Sequence, residues 1–80
     1  MKNASDIIGS KVTHGSPGYP VKEVILDVLL LNLKGEVEIQ FQSGCFTRLT
    51  KEEFDTFLAK GELTYKEKTH GGFSTLVLSR

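Results

Sequence analysis

The 80-residue sequence predicts an α+β domain: an antiparallel sheet of four strands, or five, in the order β-β-α-β-β, with one helix packed on one face. Three observations carry this. A stretch from Lys51 to Lys60 has a complete set of helix start and stop signals. The run Glu36-Val37-Glu38-Ile39-Gln40-Phe41-Gln42 alternates polar and apolar, the pattern of a strand with one wet face. Two glycine-containing breakers, Lys34-Gly35 and Gly71-Gly72, sit where hairpin turns would join neighbouring strands.

Residues 1–20 read as a leading segment and a Gly/Pro-rich loop, and residues 21–80 as the single α+β domain. Within the leading segment, Lys11 to Thr13 is the candidate fifth strand. His14-Gly15-Ser16-Pro17-Gly18-Tyr19-Pro20 holds two prolines and two glycines, which mark a loop. Residues 21–33 form a long Val/Leu/Ile-rich strand. With Lys34-Gly35 as a two-residue turn, Leu30 faces Ile39 and Val28 faces Phe41. Val24, Leu26, Val28 and Leu30 then share the core face with Val37, Ile39 and Phe41.

The helix follows a Ser43-Gly44 turn. Thr50 is its N-cap and Glu53 completes a capping box, while Leu49 and Phe54 occupy the positions of a hydrophobic staple. Phe54, Phe57 and Leu58 form the apolar stripe, and Gly61 can take positive φ and end the helix. Residues 62–69 read as a strand with Leu63 and Tyr65 inward. Residues 73–79 form the last strand, with Leu76 and Leu78 on that same face.

Ten Lys+Arg balance ten Asp+Glu. Nucleic acid is therefore not an expected partner, because a phosphate-binding surface needs a basic surplus. The one cysteine, Cys45, excludes an intrachain disulfide. The longest apolar run, Val28-Leu29-Leu30-Leu31, falls far short of the roughly 18 residues of a membrane span. No signal-peptide pattern opens the chain, so a cytoplasmic, non-membrane protein is expected. The spacing of His14, His70 and Cys45 suggests no metal site, and no cofactor is expected.

Two surfaces stand out as candidates. On the second face of the long strand, Ile25, Leu29, Leu31 and Leu33 form an apolar row, with Asp27 and Glu38 at its rim. Such a row calls for a cover, supplied by the leading segment or by another molecule. It points to a non-enzymatic protein that forms a homodimer or other small oligomer and binds and blocks a protein partner. Small charge-balanced inhibitors of this kind occur among phage and mobile-element products, an analogy and not a derivation. The alternative is a binder of a nucleotide-like anion, using His14, Ser16, Gly18 and Tyr19 from the loop with Lys22 and Arg48. A third reading makes Cys45 a nucleophile with His14 or His70 as base, although no cysteine-enzyme motif surrounds it.

Overall fold

The segment around residues 50–61 folds as its sequence dictates. In the computed structural model, which describes residues 4–16, 18–31, 35–67 and 72–79, Lys51–Lys60 is a helix, α2. The Thr50 hydroxyl accepts from the Glu53 N–H at 3.1 Å, and the Glu53 carboxylate accepts from the Thr50 N–H at 2.8 Å. Gly61, at φ 75°, ends the helix and donates its N–H to the Phe57 carbonyl at 2.7 Å. Leu49 and Phe54, the predicted staple, are both buried.

The remaining elements are α1 (Ala4–Ile7), β1 (Lys11–Gly15), β2 (Val21–Leu31), β3 (Glu36–Phe41), β4 (Phe46–Thr50), β5 (Glu62–Lys66) and β6 (Phe73–Leu78). They build one six-stranded antiparallel sheet of order β4-β3-β2-β1-β6-β5. This corrects the expected four- or five-stranded β-β-α-β-β sheet with a single helix. The candidate fifth strand forms, but at the centre of the sheet, and a sixth strand joins it. The first is β1, which lies at the centre between β2 and β6, so the leading segment joins the two halves of the sheet. The second is β4, which has no predicted counterpart. Its inward residues are Thr47 and Leu49 and its outward ones Phe46 and Arg48, so polarity does not follow side-chain direction there.

The sheet curls strongly. Thr47 on β4 and Tyr65 on β5 belong to opposite edge strands, yet their hydroxyls are 2.6 Å apart on the concave side. Helix α2 packs against β5, β4 and β3, bridging the two edges at one end. The core inside the curl comprises Val12, Ile25, Val37, Ile39, Phe41, Leu49, Phe54, Phe57, Tyr65, Leu76 and Leu78, with Ile7 from α1.

Both predicted hairpins keep their faces but not their register. Leu30 pairs with Val37 and Val28 with Ile39, each two residues from the expected partners Ile39 and Phe41. In the second, Leu63 pairs with Leu76 and Tyr65 with Ser74, each four residues from the partner that a Gly71-Gly72 turn would set. Each displacement moves cross-strand partners by an even number, so inward residues stay inward. The predicted turn residues Lys34, His70 and Gly71 lie outside the described residues.

One irregularity does change faces. A bulge between Ile25 and Asp27 leaves Leu26 without a cross-strand partner. Beyond it, Val28 packs against the core as expected, whereas Leu30, although paired with Val37, is 57% exposed and leaves the predicted core set. Before it, Ile25 turns inward opposite Phe41, and Val24 and Leu26 leave the predicted core set. The Ile25 backbone is held there from the leading segment: its carbonyl accepts from Gly9 N–H at 2.7 Å and its N–H donates to Ser10 at 3.0 Å.

Candidate functional site

Two surfaces have the chemistry to bind something. The first is the convex face of β2, β3 and β4. Register places Leu29, Glu38 and Arg48 in one row across it, with Asp27, Gln40 and Phe46 in the next. The Glu38 carboxylate accepts from Arg48 Nε at 3.0 Å and from Gln40 Nε2 at 2.8 Å. Those two donors, the amide first, hold its carboxyl below the usual glutamate range. Arg48 also lies over the Phe46 ring, its Cζ 5.5 Å from the centroid. Around this polar bridge, Leu26 is 53% exposed, Leu29 38% and Phe46 56%. Leu31 is half-buried.

Of the six residues expected at an interface, Leu29, Leu31, Asp27 and Glu38 therefore share this face. Ile25 does not: it is fully buried in the core because the bulge reverses its direction. Leu33 lies outside the described residues. Asp27 is half-buried, faces Gln40, and its carboxylate accepts from the Val28 N–H at 2.8 Å. Ile7 and Val12, the apolar residues of the leading segment that are buried, pack into the concave core and not onto this face.

The second surface is an open cleft of about 750 Å³ at the end of the curl away from α2, between the β3–β4 turn and the β5–β6 hairpin. His14, Ser16 and Glu23 line one part of it, Cys45 and Phe46 another, and Glu67, Phe73 and Ser74 a third. At its base lies a hydrogen-bonded cluster centred on Tyr65. The phenol contacts His14 Nε2 at 2.7 Å, Thr47 Oγ1 at 2.6 Å and Glu67 Oε1 at 3.1 Å. A phenol has one proton and two lone pairs. Glu67 can only accept, so Tyr65 donates to it, and Thr47 and His14 both donate to Tyr65. That arithmetic assigns His14 the tautomer with its proton on Nε2. Burial, with help from the Glu67 charge, pushes the Tyr65 hydroxyl well above its ordinary pKa.

His14 lies between two rings, its centroid 5.0 Å from that of Phe41 at a 34° tilt and 6.3 Å from that of Tyr65 with the planes nearly parallel. Burial lowers its pKa below 6.5, and the opposing pull of Glu67 and Glu23 does not cancel this. The unfolded chain therefore takes up a proton before the folded one as pH falls. The stability due to neutral His14 is complete above about pH 6.5 and is lost as pH falls through the lower folded value. Urea midpoints measured downward from neutral pH are expected to decline from that point, and His14→Gln to flatten the decline. An unchanged slope in the variant refutes this assignment. Glu38, whose pKa is also depressed, acts in a separate window: its contribution is present above about pH 4.5 and is lost as pH falls further.

The six residues expected to hold an anion are not brought together. His14 and Ser16 line the cleft, whereas Lys22, opposite Thr13, and Arg48 stand on the convex side. Tyr19 is 83% exposed, and neither it nor Gly18 lines the cleft. The loop itself is shaped by Gly15, at φ 142°, where a Cβ would stand 2.9 Å from the Tyr19 carbonyl oxygen and leave no room for a side chain. Cys45 is exposed and lines the same cleft as His14. Sequence reasoning missed Glu23, Glu67, Thr47 and Phe73, since nothing local to any of them signals the others. Among the described residues no group of three His, Cys, Asp or Glu side chains is arranged to hold a metal, and no helix is long and apolar enough to cross a membrane. No protein-family model, curated protein or solved structure matches the chain.

Proposed function

We propose that the chain is a binding protein that self-associates through the convex face of β2, β3 and β4 and uses that surface to engage a protein partner. One observation carries this reading. Leu26, Leu29 and Phe46 are exposed on the convex side, while Ile7 and Val12 of the leading segment pack into the concave core. Exposed apolar side chains of two strands beside the Glu38–Arg48 bridge have the mixed apolar and polar make-up of an interface. A two-fold arrangement would place the same face against itself.

Light scattering after gel filtration tests this at micromolar concentration. The unmodified chain is expected to run as a dimer or larger oligomer, and Leu29→Lys as a monomer with an unchanged urea midpoint. Leu29 is partly exposed, so a lysine stem can lie along the surface without disturbing the core. A strictly monomeric unmodified chain would falsify the self-association.

A further inference from the structure

The cleft differs in chemistry from the convex face. Its described lining holds two carboxylates, Glu23 and Glu67, and neither lysine nor arginine, although the whole chain is charge-balanced. The fold anchors both carboxylates from different elements. Ser43 Oγ donates to Glu23 Oε2 at 2.9 Å, and Tyr65 donates to Glu67 Oε1 at 3.1 Å. An ionised carboxylate has about four lone-pair positions, so each keeps acceptor capacity for a ligand. Between and beside them the walls are apolar: Val21, Phe46 and Phe73 are all exposed, Phe73 at 62%. Aromatic faces attract organic cations, and exposed ones gain further when a methylene chain covers them. The volume lies within the roughly 300–1,000 Å³ of small-molecule sites.

These features select a ligand. Phosphates and other anions are repelled by the paired carboxylates. A bare divalent ion finds no third ligand among the described residues. A bare ammonium ion would leave the apolar walls uncovered. A chain with ammonium groups separated by methylenes uses both, and lays its apolar links against the phenyl and valine side chains. We propose that this cleft is a binding site for a linear polyamine, with ammonium groups on Glu23 and Glu67 and methylene segments against Val21, Phe46 and Phe73. The site is independent of the convex face except at Phe46, which borders both.

Titration calorimetry of the full chain with spermidine tests the proposal, with His14 ring resonances followed by NMR as a local readout. Saturable binding of one spermidine per chain is expected, with a shift of the His14 signals. Glu23→Gln and Glu67→Gln are each expected to weaken it about tenfold, close to 1.4 kcal/mol. Phe73→Ala should weaken it as well, and Glu52→Gln, on the exposed side of α2, should not. n-Butylamine, with one ammonium, should bind about tenfold or more weakly. Should Glu67→Gln fail to fold, Glu23→Gln and Phe73→Ala decide the matter. The proposal is overturned by an absence of saturable binding, by equal losses in Glu52→Gln, by butylamine matching spermidine, or by Mg²⁺ displacing spermidine at equal charge, which would mark diffuse electrostatics.

Discussion

Phe57→Ala is expected to unfold the chain or bring it to the edge of unfolding. Phe57 is fully buried, and removing a buried phenyl group costs about 3–5 kcal/mol through lost transfer free energy and the cavity left behind. A domain of this length has a total stability of about 4–12 kcal/mol. The site has little freedom to collapse around the loss. Phe57 lies on α2, which spans the gap between the edge strands β4 and β5, and those strands are joined on the concave side by the Thr47–Tyr65 bond. Filling that gap is therefore the helix's main structural task. Urea unfolding followed by circular dichroism provides the measurement. Phe73→Ala is the matched control: its ring is exposed, so a change within about 0.5 kcal/mol is expected. Comparable midpoints for the two variants would contradict this account of the core.

Tyr65→Phe should cost about 1–3 kcal/mol although only one oxygen is removed. That oxygen takes protons from His14 and Thr47 and gives one to Glu67. Thr47 is buried, so its hydroxyl has no water to replace the lost acceptor. Adding Thr47→Val to Tyr65→Phe removes both ends of the shortest bond, and the remaining apolar groups fit the same space. The double variant is expected to be more stable than the sum of the single effects, with a coupling of about 0.5–3 kcal/mol. Strict additivity in the cycle would show that the two hydroxyls do not interact.

How much of this was readable beforehand varies by element. Helix α2 was fully legible because its signals are local: Thr50, Glu53, Phe54 and Gly61 all lie within one short segment and interact with one another. The β3 pattern and the inward set Leu63, Tyr65, Leu76 and Leu78 were legible because alternation survives a register error of even size. The convex apolar row was legible in part: Leu29 and Leu31 lie on it, while Ile25 does not. The cleft was the least legible. His14 and Tyr65 meet across 51 positions and Thr47 and Tyr65 across 18, separations over which composition and period carry no information.

The amino-acid sequence by itself determined where α2 starts and stops, which side chains of β3, β5 and β6 turn inward, and that the charges balance. Each of these follows from residues acting on near neighbours in the chain. Tertiary structure alone decided that β1 joins the two halves of the sheet, that a bulge at Leu26 sends Ile25 into the core, and that β4 exists despite a threonine inside and a phenylalanine outside. The physical reason is shared. A buried polar group becomes acceptable, and a strand direction becomes fixed, only when a distant partner supplies the matching hydrogen bond: Tyr65 for Thr47, and Gly9 and Ser10 for Ile25.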